Sequence, residues 1–101
     1  MTNVFELCKG RHSTPADKAI FSNEINPFDF VGMKKACKEA LGHIQPCDVV
    51  ELYVTGLTPA LVTVINYCLE NGINLKLYHF NRDTNDYVSQ WITGTINEWL
   101  K

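Results

Sequence analysis

The stretch DVVELYVTGLTPALVTVINYCLENGINLKLYHF, residues 48–80, decides the fold of this chain. Residues 49–54 form a nearly continuous apolar and β-branched run, which is typical of a strand covered on both faces. After the turn at residues 55–58, apolar residues recur at helical spacing until Gly72, and residues 73–80 predict a second strand. Because the joints are short, the segment predicts a strand–helix–strand unit whose two strands are parallel.

A similar unit precedes this segment. Residues 4–8 form a short apolar run that predicts the first strand, and a long polar connection follows at residues 9–27. Asn26 and Pro27 predict the start of a helix, with the asparagine as the cap and the proline at the first helical position. Gly42 predicts its end.

These elements predict a small Rossmann-like α/β sandwich with three parallel strands, two crossover helices and a C-terminal antiparallel strand. The last strand is expected at residues 87–92, after a polar turn at residues 81–86. Residues 95–101, which include Trp99, predict a short helix. With 101 residues and 46% apolar content, the chain is expected to form a single domain, residues 1–101.

Composition narrows the possible partners. The net charge is -2, from nine basic and eleven acidic residues, which argues against extended DNA or RNA binding. The sequence has no run of about 18 apolar residues that would span a membrane and no secretory signal pattern, so we expect a cytoplasmic protein without a membrane partner.

The cysteines do not have the spacing of a metal site. Cys8, Cys37, Cys47 and Cys68 are widely separated, so we expect no metal and no other cofactor. A buried reduced cysteine behaves as a small apolar residue. We therefore expect all four to be structural or incidental, and a catalytic thiol is the minor alternative.

Two loops follow predicted parallel strands at their carboxyl ends, where open α/β sheets bind their ligands. The later loop, Thr55-Gly56-Leu57-Thr58, offers backbone N–H groups, hydroxyl groups and the start of a helix, and phosphate sites use these parts. The alternative is that Gly56 only makes the turn and Thr58 only caps the helix.

The earlier loop contains a basic cluster. Arg11 and Lys9 can bind phosphate, and His12 can act as a general acid or base near neutral pH. The remaining predicted ligand-binding positions of this loop are Gly10, Ser13 and Thr14. The alternative is a solvated loop without a ligand.

Several strand residues allow two interpretations. Glu51 lies in an apolar run, where a carboxylate is costly, so we expect it at an edge of the sheet. His79 can point toward the same loops or be an ordinary half-buried histidine. Aromatic residues in these strands can stack on bases or pack in the core, namely Tyr53, Tyr78, Phe80 and Tyr87.

Residues 48–80 resemble the strand–turn–helix–strand unit of CRISPR-associated Rossmann-fold (CARF) domains. The resemblance rests on Thr55-Gly56 after the strand, Gly72 after the helix and Tyr78 in the next strand. Where the fuller family turn continues with glycine, threonine and lysine, this chain has residues 57–59, Leu-Thr-Pro. Members of this family bind cyclic oligoadenylate second messengers across a two-fold dimer, and the ring nucleases among them cleave these messengers without a metal.

The resemblance implies that this protein binds a cyclic oligonucleotide second messenger as a homodimer in prokaryotic or phage defence signalling. It puts phosphate or ribose contacts on Thr55, Gly56 and Thr58. If the ligand is cleaved, the ribose 2'-hydroxyl would attack the adjacent phosphate. We expect His12 to transfer the proton in this reaction, and Arg11 and Lys9 to stabilise the developing charge.

The alternative function belongs to a different class. The chain can be a small non-enzymatic interaction protein, such as a phage or mobile-element accessory, that docks onto a host protein. Trp91 and Trp99 would then be its anchors, because tryptophan is enriched at interface hot spots. Simple packing of the tail onto the sheet is the other interpretation of these two residues.

Overall fold

The computed structural model describes residues 2–10 and 13–92, which form one five-stranded sheet and two helices. In chain order the elements are β1 (Thr2–Cys8), β2 (Lys18–Phe21), α1 (Phe30–Leu41), β3 (Val49–Tyr53), α2 (Thr58–Glu70), β4 (Asn74–Asn81) and β5 (Asp86–Trp91). Neither helix in these residues is long and apolar enough to cross a membrane. The helix predicted at residues 95–101, with Trp99, lies outside the described residues.

The strands are ordered β2-β1-β3-β4-β5. β1 pairs in parallel with β2 and with β3, and β3 pairs in parallel with β4. β5 pairs antiparallel with β4. The α/β class and the antiparallel last strand are therefore confirmed. The predicted count of three parallel strands is wrong, because this sheet contains four.

Both helices lie on the same face of the sheet. α1 packs against α2 and β2, and α2 also packs against β4. The connections from β2 to β3 and from β3 to β4 move in the same direction across the sheet, so right-handed crossovers put both helices on one side. No helix of the described residues covers the other side, which we call the open face.

The core lies between the sheet and the helices. In β3, Val50 and Leu52 are completely buried, whereas Glu51 and Tyr53 on the open face are only half-buried. The largest completely buried side chains include Leu7, Met33, Leu41, Leu52, Ile73, Leu75 and Leu77. Burial of one such side chain contributes about 1.5–3 kcal/mol to stability.

β2 lies within the polar connection predicted at residues 9–27. It is a four-residue edge strand, and Ile20 and Phe21 at its end are buried. The Lys9 N–H donates a hydrogen bond of 2.9 Å to the Phe21 carbonyl, which joins this strand to the end of β1. The strand was missed because its stability comes from this pairing and burial, which a four-residue pattern does not reveal.

α1 begins at Phe30, later than the asparagine–proline pattern predicts. The Gly32 N–H donates to Asp29 Oδ1 at 2.9 Å, so Asp29 is the cap. Asn26 instead forms a turn before the helix, because its Oδ1 accepts a hydrogen bond from the Phe28 N–H at 3.0 Å. The predicted helix is correct, and its predicted start is wrong.

Glu51 does not lie at an edge, because β3 is the middle strand of the sheet. Its side chain is on the open face, where the Tyr78 hydroxyl donates a hydrogen bond of 3.1 Å to Oε2. The carboxylate therefore keeps access to solvent and gains a donor, which removes the need for an edge position.

Candidate functional site

A cleft of about 540 Å³ opens at the carboxyl ends of β3 and β4, and we call it the rim cleft. It is lined by Ser13, Val54, Thr55, His79, Phe80, Arg82 and Tyr87. Its position agrees with the rule that open parallel sheets bind ligands beyond the carboxyl ends of their strands. It also brings Ser13 of the earlier predicted loop together with Thr55 of the later one.

Thr55 joins the ends of two strands. Its side chain is 2% exposed, and Oγ1 accepts a hydrogen bond from the Cys8 N–H at 3.0 Å. The same hydroxyl donates to the Cys8 carbonyl at 3.4 Å. Because both bonds are internal, the Thr55 hydroxyl holds the end of β3 against the end of β1.

The turn after Thr55 has an unusual backbone. Gly56 has φ of 91° and Leu57 has φ of 56°, so two successive residues adopt positive φ. A Cβ on Gly56 would meet no atom within 4 Å, so the backbone angle, and not crowding, favours glycine there. Leu57 packs against the core and is the N-cap of α2, without a side-chain hydrogen bond.

The helix that follows begins at Thr58, so the interpretation of Thr58 as its cap is wrong. Pro59 occupies its second position and removes one N–H from the first turn. Within residues 2–10 and 13–92, no protein group accepts a hydrogen bond from the N–H of Gly56 or of Leu57. Because the Thr55 hydroxyl is already bonded to Cys8, this turn can offer a ligand these two backbone donors and the exposed Thr58.

The basic loop reaches the rim cleft at Ser13. The Tyr87 hydroxyl donates a hydrogen bond of 3.5 Å to the Ser13 carbonyl, which connects β5 with the loop that follows β1. The predicted proton-transfer residue His12 and the predicted phosphate-binding residue Arg11 lie outside the described residues. Their roles stay predictions.

Arg82 supplies a positive charge to the rim cleft. It follows β4 directly, and its side chain is exposed. In the part of the chain that the structure describes, no carboxylate forms an ion pair with its guanidinium. An arginine without a protein partner is available for a phosphate or carboxylate, which it binds through two parallel N–H donors.

Phe80 and His79 complete the wall next to Arg82. The Phe80 side chain is 49% exposed, and its ring meets the Tyr87 ring edge-on with centroids 5.4 Å apart. His79 Nε2 lies 2.9 Å from Gln90 Oε1, so this amide orients the imidazole. His79 is half-buried and also lines the rim cleft, so it combines features of both interpretations.

The aromatic residues of the open face form one cluster beside the rim cleft. The rings of Tyr53 and Tyr78 are stacked with centroids 4.7 Å apart, and Tyr87 meets Tyr53 edge-on at 4.8 Å. Burial raises the pKa of the Tyr53 hydroxyl, and the nearby Tyr78 and Glu51 raise it further. The hydroxyl therefore stays protonated at neutral pH. These contacts support the packing interpretation for Tyr53 and Tyr78, whereas the exposed side chain of Phe80 remains accessible.

The other predicted site residues lie apart from the rim cleft. Lys9 lines a smaller cleft beside β2, together with Glu6 and Asp17. The Thr14 hydroxyl accepts a hydrogen bond from the Ala16 N–H at 3.2 Å and so stabilises its own loop. Gly10 is exposed at the end of β1, with φ of 76°. Thr58 lines a groove between the two helices.

The sequence predicts no site role for Arg82 and leaves Tyr87 between base stacking and packing. Arg82 falls within the predicted polar turn at residues 81–86, although it follows a parallel strand in the same way as the two predicted loops. That position at the carboxyl end of β4 was the available signal. Tyr87 carries no such signal, because its position at the cleft depends on the register between β4 and β5, which pairs it with Phe80.

The histidine, cysteine, aspartate and glutamate side chains bear on two further kinds of chemistry, metal binding and nucleophilic attack. The described residues contain no group of three or more histidine, cysteine, aspartate or glutamate side chains that could hold a metal ion. Burial raises the pKa of the Cys37 and Cys68 thiols to about 12, so both are protonated at neutral pH. A protonated buried thiol is a poor nucleophile, which favours a structural role for these two residues.

Trp91 does not stand free on the surface. It is half-buried at the end of β5, and the Lys76 ammonium lies 5.3 Å from its ring centroid. Packing within the sheet therefore accounts for this residue.

Comparison of the chain with known protein families, curated proteins and solved structures found no match.

Proposed function

We propose that this protein binds a nucleotide in the rim cleft. The observation that carries the proposal is an arginine without an ion-pair partner among the described residues, Arg82, next to an exposed aromatic ring, Phe80, in a cleft at the carboxyl ends of parallel strands. A nucleotide combines the two groups that these side chains recognise, which are a phosphate and a flat base.

Each part of the nucleotide has a partner in the cleft. Arg82 would bind the phosphate, since a guanidinium matches two phosphate oxygens at once. Phe80 would stack on the base, an interaction worth about 1–3 kcal/mol. Gly56 and Leu57 directly follow Thr55 but do not line the cleft. Their N–H groups would therefore add neutral donors only to a part of the ligand that extends to the start of α2, where the helix dipole favours an anion.

Within this class we propose a cyclic oligonucleotide second messenger, as the resemblance to CARF domains implies. The cleft volume of about 540 Å³ lies within the range of about 300–1,000 Å³ that is typical of small-molecule sites. One chain would therefore hold part of a cyclic oligonucleotide, and the second chain of the implied homodimer would hold the rest. Cleavage of such a ligand stays a separate prediction. Arg11 and His12 lie outside the described residues, and Lys9 lines a different cleft, so binding has more support than catalysis.

A thermal-shift panel tests the proposal. The purified chain is incubated with cyclic oligoadenylates, linear oligoadenylates, AMP and adenosine, and its melting temperature is measured at increasing ligand concentration. A ligand that binds the folded state raises the melting temperature with the logarithm of its excess over Kd. We expect cyclic oligoadenylates to raise it and adenosine, which lacks a phosphate, to have a much smaller effect.

Paired variants connect the binding to the cleft. Arg82→Ala should weaken binding at least about ten-fold, because charge-assisted hydrogen bonds contribute about 1.5–3 kcal/mol. Lys35→Ala removes the same charge from the exposed surface of α1 and is the matched control. Phe80→Ala should weaken binding about ten-fold or more. Phe28→Ala, at a phenylalanine that is 75% exposed, is its control.

Two results would contradict the proposal. One is that no phosphate-containing nucleotide raises the melting temperature. The other is that Arg82→Ala and Lys35→Ala weaken binding equally, which would indicate only an effect of net charge.

Chromatography of the recovered ligand distinguishes a binder from a ring nuclease. Intact ligand indicates binding alone, and linear products indicate cleavage. If products form, His12→Ala and His79→Ala identify the histidine on which cleavage depends.

A further inference from the structure

The outer surface of α2 exposes two large apolar side chains to solvent, beside the polar residues Thr58, Asn66 and Glu70. Among the 13 residues of this helix, Glu70 is the only charged one. Ala60 and Val64 are buried against the sheet, whereas Val62 and Leu69 on the opposite side of the helix are 48% and 53% exposed. The outer side of α2 therefore combines an apolar stripe with polar neighbours, and neighbouring exposed apolar side chains of this kind occur at interaction sites.

Large apolar side chains are also exposed at the start of α1, and Phe30 among them lines a groove together with Val62 of α2. Phe28, Phe30 and Val31 are 75%, 61% and 84% exposed. Single exposed apolar side chains are normal in folded proteins, but several neighbouring ones indicate an interaction site.

A groove of about 530 Å³ runs between α1 and α2, and we call it the helix groove. Phe30 and Lys34 line it on α1, and residues from Thr58 to Glu70 line it on α2. Because a helix rises about 1.5 Å per residue, the part of the groove formed by α2 is about 18 Å long. That length accommodates a partner helix of about three turns.

α1, which forms one side of the groove, carries three lysines and one glutamate; Lys34 lines the groove, whereas Lys35 and Lys38 lie outside its lining. Lys34, Lys35 and Lys38 are all exposed, and Glu39 is the only acidic residue of this helix. Lys34 Nζ lies 3.7 Å from Glu70 Oε2, with both side chains more than half exposed. Such an exposed pair contributes little. Within the described residues, Lys35 and Lys38 have no ion-pair partner.

From the apolar groove and its positive edge, we propose that the helix groove binds an amphipathic helix of another protein, with an apolar stripe and acidic flanking residues. On the partner helix, apolar side chains three and four positions apart would contact Phe30 and Val62 of this chain. Other complexes in which a helix lies in a groove use the same spacing. Acidic residues beside this stripe would face Lys35 and Lys38, since complementary charge favours one class of partner over another.

Two other occupants fit these features less well. A second copy of this chain would offer α1 or α2, and neither helix is acidic. In a two-fold dimer built on this groove, the lysine-rich edges would lie near each other, and like charges repel. A flat lipid surface would meet Val31 and the lysines but would not fill a groove about 18 Å long.

A selection from a displayed peptide library, with the purified full chain as the immobilised target, tests the proposal. The library consists of helices of about three to four turns with a fixed leucine stripe and randomised flanking positions. Peptides that bind the wild type are retained, and those that also bind a Val62→Glu variant are removed. We expect the remaining flanks to be enriched in aspartate and glutamate, and a fluorescence-anisotropy titration should show weaker binding as salt increases.

Matched variants separate the groove from the rest of the surface. Val62→Glu should abolish binding of a selected acidic peptide, whereas Val88→Glu should leave it unchanged. Val88 is a matched control because its exposed fraction, 52%, is close to the 48% of Val62, and because it lies on β5 outside the groove. The double variant Lys35→Glu/Lys38→Glu should weaken binding about ten-fold and remove most of its salt dependence.

Four outcomes would overturn the proposal. The first is a selection with neutral or basic flanks, or one that returns no peptide dependent on Val62. The second is equal loss of binding in the Val62→Glu and Val88→Glu variants. The third is concentration-dependent dimerisation that Val62→Glu abolishes, which would make a second copy the occupant. The fourth is tighter binding to vesicles containing phosphatidylserine than to any selected peptide, which would make the surface a lipid-binding one.

Discussion

Thr55→Val tests the role of the buried hydroxyl at the rim cleft. Valine has nearly the same shape as threonine, so the substitution removes the hydroxyl without leaving a large cavity. It removes the hydrogen bonds of 3.0 Å and 3.4 Å with the backbone of Cys8. These bonds hold the end of β3 against β1, so their loss should destabilise the whole sheet.

The expected magnitude follows from the geometry. One internal hydrogen bond contributes about 0.5–1.5 kcal/mol, and the longer of the two should contribute less than the shorter. We therefore expect a loss of about 1–2 kcal/mol in the free energy of unfolding. For a chain of 101 residues this lowers the melting temperature by about 4–16 °C, at about 4–8 °C per kcal/mol.

Urea unfolding followed by circular dichroism measures this loss, and Thr63→Val is the control. The Thr63 hydroxyl donates only to the Pro59 carbonyl of its own helix, at 2.9 Å, so its removal should change stability by less than about 0.5 kcal/mol. If Thr55→Val is as stable as the wild type but binds nucleotide about ten-fold more weakly, the hydroxyl contacts the ligand and the structural role is refuted.

Three further predictions concern stability, each checked by urea unfolding. Between pH 9 and 10 the unfolded thiols ionise, while burial keeps the pKa of Cys37 and Cys68 at about 12 in the folded state. The folded state then holds more protons, so stability is complete below pH 9 and falls above it, by up to about 1.4 kcal/mol per pH unit for each thiol. The Cys37→Ala/Cys68→Ala variant should lack this fall, and an equal fall would contradict the assignment. Asn85 has φ of 56°, so Asn85→Gly should be tolerated and Asn85→Val should lose about 1–2 kcal/mol; equal stability would argue against that backbone angle. Asp29→Ala should lose about 1 kcal/mol and Asn26→Ala less, because Asp29 is the observed cap of α1; the reverse order would favour the cap predicted from the sequence.

Much of the fold could be predicted because its central elements are long and periodic. β3, α2 and β4 lie where the apolar pattern of residues 48–80 indicates. β2 could not be found in this way, because four residues carry no reliable period and Phe21 is buried only after the strand pairs with β1. The start of α1 was misread because asparagine followed by proline is also typical of a turn, and Asn26 forms one.

The site was harder to predict than the fold. The rule about carboxyl ends of parallel strands pointed to the loops of Ser13 and Thr55, and both residues line the rim cleft. It did not reveal that the Thr55 hydroxyl binds Cys8, because that contact joins residues 47 positions apart. The exposed ring of Phe80 also depends on which residues β5 places beside it, and only the pairing of β4 with β5 determines this.

The most direct test of nucleotide binding in the rim cleft is amide chemical-shift mapping. Isotope-labelled protein is titrated with cyclic tetra-adenylate, and the backbone signals that move are assigned to residues. We expect saturable shifts at Ser13, Gly56, Phe80 and Arg82, and none at Val62 on α2. An absence of shifts at high ligand concentration, or shifts confined to the helices, would contradict the account.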